Sequence, residues 1–146
     1  GFGGTPPPAR PRQDAPARPA DAVVEWPTRG DQAALYSELG DRNPLHVDEA
    51  AAAAAGFPAP ILHGLCTYGM VGVAVIGGLC EEDPRRLRSL ELEFRAPAYP
   101  GEVLRLEAWR EQDGARLRLL APERGGAVTA LGRCSIASAA RSSDRR

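Results

Sequence analysis

The sequence predicts an α+β domain, and two features of the chain support this prediction. Residues 64–80, GLCTYGMVGVAVIGGLC, are the most apolar segment and show no strand-like alternation, which favours a buried helix of roughly 25 Å. From Leu87 onward, apolar and charged side chains alternate in short segments separated by turns, as in strands with one polar face. One buried helix followed by an antiparallel sheet is an α+β arrangement.

The chain has the size of a single globular domain with a substantial core. It has 146 residues, of which 43% are hydrophobic and 25% charged. We expect a Pro-rich linker or tail at 1–20, the domain at 21–140 and a C-terminal tail at 141–146. The Pro-rich start and the absence of an initiating methionine favour a chain that is the C-terminal half of a longer, fused protein, or a processed piece of one.

Charge, hydropathy and cysteine content exclude several classes of protein. A net charge of −1 does not favour a general nucleic-acid binder. We find no apolar run long enough to span a membrane and expect no signal peptide. The three cysteines have no short-spaced pairs, which argues against a disulfide framework and fits a reducing cytosol. We therefore expect a cytoplasmic protein.

The first predicted elements are a strand and a short helix. AVVEW, residues 22–26, is rich in β-branched and aromatic residues and is followed by proline. Thr28 and Asp31 have the spacing of a capping box, with Asp in place of Glu. They indicate a helix of about two turns over 31–39, which ends at Gly40.

The remaining elements follow from caps, glycines and alternation. Asp48 is placed to cap a second short helix through the alanine run, and Gly56 is placed to end it. The segment 64–80 contains five glycines, which are costly in a helix, so we expect strands to pack closely around it. Strands are predicted within LRSLELEFRA, EVLRLEAWRE, ARLRLLAP and AVTALGRCSIAS, with turns at PAYPGE and EQDGA.

The stretch GDRNPLHVDE carries Asp41 and, five residues later, one of the chain's two histidines, His46. Pro44 argues against a continuous helix and pushes Asn43 toward an extended conformation, while Gly40 permits a sharp exit from the preceding helix. A tight turn can therefore bring the two side chains together, and a carboxylate and an imidazole aimed at one water suffice for acid–base chemistry. A solvated capping loop is the alternative that this spacing leaves open.

The second histidine, His63, precedes Gly64 at the start of the predicted central helix. Backbone N–H groups at a helix N-terminus are unpaired and carry partial positive charge, so they could stabilise a carbonyl oxygen that gathers negative charge. A simple glycine N-cap beside a hydrogen-bonded histidine is the alternative. A zinc set of His46, His63, Cys66 and Asp48 matches no compact ligand spacing, so we expect no metal.

Residues 35–69 resemble the hydratase 2 signature of MaoC-like (R)-specific enoyl-CoA hydratases. The pattern runs from an aromatic residue through Gly-Asp-x-Asn-Pro-aliphatic-His to a small residue six positions later. The matching positions are Tyr36, Gly40, Asp41, Asn43, Pro44, Leu45, His46 and Ala52. The residue before the glycine is usually small in the family, and here it is Leu39. FRAPAYPGEVLRLEAW is also similar to the family's strand–turn–strand, so the likeness covers most of residues 21–138.

The resemblance implies a hot-dog fold, in which an antiparallel sheet wraps around a long helix. It also implies reversible hydration of trans-2-enoyl-CoA to (R)-3-hydroxyacyl-CoA, a lyase reaction that needs no metal or bound cofactor. Asp41 and His46 would form the catalytic pair, with the acid and base roles left open. Asn43 would position the water or substrate, His63 would help to bind substrate, and the Gly64 N–H would polarise the thioester carbonyl.

Two other functions stay open at this point. One is a different hot-dog enzyme, such as a thioesterase or an acyl-carrier-protein dehydratase, and the other is a non-catalytic module that binds acyl thioesters. The intact Asp-x-Asn-Pro-x-His segment favours the hydratase over both. Besides an acyl-CoA or acyl-carrier thioester, we expect a second hot-dog unit as partner, either in a homodimer or as the other half of a fused chain, because unpaired edge strands are liabilities.

Overall fold

A computed structural model describes residues 14–137, and within this range an antiparallel sheet lies against a long helix. The strands are β1 (Ala22–Pro27), β2 (Leu87–Phe94), β3 (Val103–Glu111), β4 (Gly114–Ala121) and β5 (Ala127–Ile136). They lie in the order β1-β3-β4-β5-β2, and all neighbours are antiparallel. The helices are α1 (Gln32–Ser37), α2 (Glu49–Ala54) and α3 (Gly64–Leu79). The α+β class and the hot-dog arrangement are therefore confirmed.

The hydrophobic core lies between α3 and the inward-facing residues of the sheet. Helix α3 contacts both outer strands, β1 and β2, so it lies across the sheet. Its buried face meets alternate residues of β3 and β4, and each side chain of this size contributes about 1.5–3 kcal/mol when fully buried. The largest contributors are Val71, Val75, Leu79, Leu104, Leu106, Leu117 and Leu119. None of the helices in the described range is long and apolar enough to cross a membrane.

The predicted capping box at the start of α1 is wrong. The Thr28 hydroxyl donates instead to the backbone oxygen of Glu102 at 2.9 Å, and so fastens the end of β1 to the loop before β3. Asp31 occupies the N-cap position but its side chain makes no cap hydrogen bond. Its carboxylate pairs with Arg29 at 2.7 Å. Helix α1 is accordingly shorter than predicted, with 6 residues.

The second short helix is capped as predicted. The Asp48 side chain accepts a hydrogen bond from the backbone N–H of Ala51 at 2.9 Å. Gly56 follows the helix with a φ of 86°, which places it in the region that favours glycine. Both ends of α2 therefore follow from local sequence.

Close packing explains only some of the glycines in α3. A Cβ atom added at Gly78 would lie 2.7 Å from Cγ2 of Val24 in β1, so the strand does approach the helix closely there. Gly69 and Gly77, in contrast, have nothing within 4 Å of an added Cβ, and both border an open groove. Close packing of strands around the helix therefore accounts for Gly78 but not for these two glycines.

The predicted linker at 1–20 and tail at 141–146 lie largely outside the described residues. Within the described part, the Trp109 indole Nε1 donates to the backbone oxygen of Arg18 at 2.8 Å. The Arg18 guanidinium pairs with Asp21 at 2.6 Å, and the Asp21 carboxylate also accepts from the Arg110 N–H at 2.7 Å. Residues 18–21 are thus attached to the end of β3, and the predicted domain limits stay predictions.

Candidate active site

The turn after α1 adopts the backbone that its sequence dictates. Gly40 takes a φ of 120°, a value that favours glycine. Asn43 is extended, with φ −60° and ψ 121°, ahead of the 3-10 turn Pro44–His46. The Asn43 side-chain oxygen accepts the backbone N–H two residues further on at 3.1 Å. This folded turn, and not a helix, brings the side chains of Asp41 and His46 close together.

The imidazole of His46 is buried and held in one orientation. Its Nδ1 lies 2.8 Å from the backbone oxygen of Ile61. A carbonyl oxygen can only accept, so Nδ1 carries a hydrogen, and in the neutral ring Nε2 is the nitrogen with the free lone pair. His46 also lines a cavity, so the ring is set up as a proton acceptor beside a space that can hold a ligand.

The imidazole of His63 lies against His46 and is almost fully buried, with 1% of the residue exposed. Its Nε2 is 3.0 Å from the backbone oxygen of Asp41, so this nitrogen carries the hydrogen. The two imidazoles stack with their centroids 3.7 Å apart and an angle of 25° between planes. The Tyr36 ring lies at a tilt on His63, at 4.7 Å. His63 is not among the residues that line the cavity.

The cavity has a volume of about 440 Å³, within the usual range for small-molecule sites. It lies between loop 57–62, the first turn of α3 and the end of β2 with the loop that follows. His46, Gly64, Thr67 and Phe94 line it, and most of its surface is apolar. The cavity therefore offers an apolar chamber with an imidazole and a helix N-terminus in its wall.

Hydrogen bonds fix the loops that form the cavity walls. The Leu62 N–H donates to the backbone oxygen of Ala98 at 2.8 Å, which joins the two wall loops. The Arg124 guanidinium donates to the backbone oxygen of Pro97 at 2.7 Å and also pairs with the carboxylate of Glu102. Pro97 is thereby tied to Arg124, which follows β4, and through it to Glu102, which precedes β3.

Gly64 presents its backbone to the cavity. It is the first residue of α3, and the N-cap residue, His63, makes no side-chain cap hydrogen bond to the helix. A Cβ atom added at Gly64 would lie 3.6 Å from Cε2 of Phe94, an ordinary contact distance. The glycine is thus not required by packing within the protein, but its lack of a side chain leaves the amide open to a ligand.

The polar groups of the site form one cluster. One ligand atom each from Asp41, His46 and His63 lies within 4.8 Å of the others. The zinc set considered from the sequence combined the two histidines with Cys66 and Asp48 and did not contain Asp41. An imidazole nitrogen binds a metal in the plane of its ring. The rings of His46 and His63 are stacked, so their lone pairs point side by side and not toward one common point. One nitrogen of each ring is also committed to a carbonyl oxygen. This arrangement fits proton transfer better than it fits a tetrahedral metal.

Two neighbours of the site have simple explanations. Leu39, the departure from the family signature, is 80% exposed, so its size disturbs no packing. Cys66 is buried in the first turn of α3. Burial raises the pKa of its thiol, although the Gln32 amide at 3.8 Å from Sγ acts in the opposite direction. Cys66 is therefore held as a neutral thiol that packs like a small apolar residue.

Of the five predicted site residues, two line the cavity: His46 and Gly64. Asp41 and His63 join His46 in the polar cluster. The Asn43 side chain caps the turn, and its predicted contact with water or substrate stays a prediction.

The sequence interpretation missed two participants, Ile61 and Phe94. Ile61 acts through its backbone oxygen, which no residue type signals. Phe94 continues the apolar alternation of β2, a pattern that predicts a position facing the core. It is 46% exposed and lies over Gly64 at the cavity instead.

Fold and site together define a hot-dog domain with an aspartate–histidine cluster at the N-terminus of its central helix. A family model described as "MaoC like domain" matches residues 11–121. The chain belongs to the MaoC-like domain family.

Named relatives cover much of the chain. An enoyl-CoA hydratase of Mycobacterium tuberculosis, ChsH3, is 46% identical over 134 residues, which are 90% of this chain and 46% of that protein. The peroxisomal multifunctional enzyme type 2 of Drosophila melanogaster is 42% identical over 118 residues, or 81% of this chain and 20% of that enzyme. The chain thus spans less than half the length of each of these relatives.

A solved structure agrees closely with the fold. The crystal structure of a MaoC-like dehydratase from Phytophthora capsici superposes with a TM-score of 0.87 at 33% sequence identity. The match covers 96% of this chain and 50% of that one.

Proposed function

We propose that this domain adds water reversibly to trans-2-enoyl thioesters of coenzyme A and forms (R)-3-hydroxyacyl thioesters. One observation carries the proposal: His46 has its Nδ1 hydrogen on a carbonyl oxygen, so its Nε2 can accept a proton, and it lines the same cavity as Gly64. The names of the relatives support the reaction class, since one of them is called an enoyl-CoA hydratase.

The proposed reaction begins at the thioester carbonyl, which accepts a hydrogen bond from the Gly64 N–H. A conjugated thioester is a weak electrophile until its oxygen is stabilised, and a helix N-terminus supplies that stabilisation. His46 Nε2 takes a proton from water as the water oxygen forms its bond to C3. The electron pair of the C2–C3 double bond moves toward the carbonyl, which gives an enolate.

The second half of the reaction returns the proton to carbon. The imidazolium of His46 passes its proton to the carboxylate of Asp41, which delivers it to C2 of the enolate. One water has then been added, and both side chains are back in their starting states. The scheme uses only side chains and one backbone amide, so we propose that it requires no metal or organic cofactor.

We also infer that the domain pairs with a second hot-dog unit, either another copy or a different half. Strands β1 and β2 are the outer strands of the described sheet, and unpaired strand edges favour association. Helix α3 exposes Leu65 and Val73, at 69% and 72% of their surface, along one side. Size-exclusion chromatography with light scattering tests this, with activity measured on each peak. A fully active species with the mass of one chain would contradict it.

We propose that the domain works in a reducing compartment, the cytoplasm. Cys66, Cys80 and Cys134 are all buried, and none of them forms a disulfide. Burial raises the pKa of Cys134 to about 11, which keeps it a thiol. Fractionation of cells that express the tagged protein tests the location, and recovery outside the soluble cytosolic fraction would contradict it.

The test of the reaction is a panel of trans-2-enoyl-CoA substrates of increasing chain length. Hydration removes the conjugated double bond, so loss of its ultraviolet absorbance reports the rate. Chiral analysis of the product should show the (R)-3-hydroxyacyl thioester. Predominantly (S) product, or no hydration of any member of the panel, would contradict the proposal.

A further inference from the structure

We propose that His63 is a positioning residue, which fixes His46 and Asp41 relative to the Gly64 amide without touching substrate. The inference rests on the proposed hydration and deepens it. It also replaces the substrate-binding role that the family resemblance implies for His63, because this side chain is almost fully buried and does not line the cavity, whereas Asp41 is exposed.

The first contact fixes the turn that carries Asp41. The Nε2–H of His63 donates to the backbone oxygen of Asp41 at 3.0 Å. Asp41 itself is exposed, so little packing holds its backbone in place. This hydrogen bond is made by a residue of the helix start, and it therefore sets the distance between the carboxylate-bearing turn and α3.

The second contact fixes the plane of the His46 ring. The Nδ1–H bond to Ile61 restrains the His46 ring at one edge but leaves it able to tilt about that bond. The stacked ring of His63, 3.7 Å away, blocks that tilt. The hydrogen bond to Ile61 and the stack on His63 together fix the direction in which the Nε2 lone pair of His46 points.

The third link is the chain itself, because His63 is the N-cap residue of α3 and the Gly64 N–H follows it directly. One residue, His63, thus joins the proton acceptor, the turn that carries the carboxylate and the start of the helix that carries the amide. The Nδ1 atom of His63 is buried and has no hydrogen-bond partner among the described residues. A buried polar atom without a partner is unfavourable, and an apolar ring would avoid it. The Nε2–H bond to Asp41 accounts for an imidazole at this position.

Two substitutions separate the two contacts. His63→Gln keeps an N–H donor for the Asp41 oxygen and removes the stacked ring, whereas His63→Phe keeps an aromatic ring and removes the donor. We expect His63→Phe to lower kcat on the order of 10²-fold, because small displacements of catalytic groups cost that much. His63→Gln should lower kcat by a factor about ten times smaller than His63→Phe does. In both variants KM should stay within about threefold of the wild-type value, since no substrate contact is removed.

A second readout does not depend on activity. The chain has only two histidines, so the long-range ¹H–¹⁵N spectrum of the imidazoles can be assigned with single substitutions. In the wild-type protein we expect the Nδ1–H form for His46 and the Nε2–H form for His63. In His63→Gln, which lacks the stacked ring, the His46 signals should shift toward a mixture of the two forms, and in His63→Phe, which keeps a ring, they should shift less.

A matched control separates positioning from general loss of stability. Val75→Ala removes buried volume from the middle of α3, away from the cavity. It should lower Tm while leaving kcat and the His46 signals unchanged. If His63→Phe and His63→Gln behave like Val75→Ala, with kcat per folded molecule and His46 signals unchanged, the inference is overturned.

Failure of the proposed reaction would look different. Wild-type protein that hydrates no enoyl-CoA but shows the expected imidazole forms, with His46 perturbed in the His63 variants, would refute the reaction and support the positioning. If His63→Phe does not fold, the His63→Gln spectrum decides. An altered His46 signal supports the role of the stack, and an unaltered one overturns it.

Discussion

Replacing Gly64 by alanine adds one methyl group to the wall of the cavity that His46 also lines. The new Cβ would lie 3.6 Å from Cε2 of Phe94, so the protein accommodates it without displacement. Gly64 is a helical residue with no positive φ, so alanine fits the backbone. A glycine-to-alanine change at such a site stabilises the fold by about 0.4–1 kcal/mol through the unfolded state, which raises Tm by up to about 4 °C.

The same methyl group should be harmful to catalysis. It projects beside the amide that is proposed to receive the thioester oxygen, and it holds that oxygen away from hydrogen-bonding distance. Loss of a single donor of this kind costs about 10²–10³-fold in kcat, or about 2.7–4 kcal/mol of transition-state stabilisation. We therefore expect a variant that is at least as stable as the wild type and nearly inactive.

The measurement combines initial rates of enoyl-CoA hydration with calorimetric melting of the same samples. Gly30→Ala is the control, because nothing lies within 4 Å of a Cβ atom added at Gly30 and it is not part of the cavity. It should retain normal kcat. A Gly64→Ala variant with normal kcat and KM would refute the assignment of the Gly64 N–H to the carbonyl oxygen.

Two further predictions concern stability. Gly78→Ala should be less stable than Gly77→Ala by about 1–3 kcal/mol in urea titrations, because only the methyl at Gly78 meets Val24, and equal stabilities would contradict this. The pKa of Asp21 is lowered to about 2, chiefly by the hydrogen bond from Arg18 and then by the Arg110 N–H. Because the folded-state pKa lies below the unfolded one, this carboxylate's stabilisation is complete above about pH 4 and lost as the pH falls through about 2. Asp21→Asn should remove this part of the acid dependence in melts across that range, and an unchanged dependence would exclude the pairing.

Local sequence predicted those features of the site that depend on backbone preference. Gly40 and Asn43 took the conformations that their residue types favour, and Asp48 capped α2. The long apolar segment forms the central helix, as predicted. The prediction rested on its length and on its lack of the alternation that a strand with one polar face would show. At Gly40, Asn43 and Asp48 the residue's own chemistry limits the local backbone, and the prediction is confirmed.

Contacts between distant segments could not be predicted in this way. The Thr28 hydroxyl was expected to cap a helix, but an acceptor 74 residues away, the oxygen of Glu102, binds it instead. The hydrogen bond from His46 to Ile61 and the stack on His63 likewise depend on how loop 57–62 and α3 return to the turn. Neither the spacing of the histidines nor their neighbours in sequence carries that information.

The most direct test of the proposed chemistry is the turnover of Asp41→Asn and His46→Gln in the hydration of trans-2-enoyl-CoA. Both side chains are near the surface or at the cavity wall, so the fold should survive, as circular dichroism and melting would show. We expect each variant to lose at least on the order of 10²-fold in kcat, the usual contribution of a positioned acid or base. A correctly folded variant of either residue that hydrates the substrate at nearly the wild-type rate would contradict the assignment of this pair.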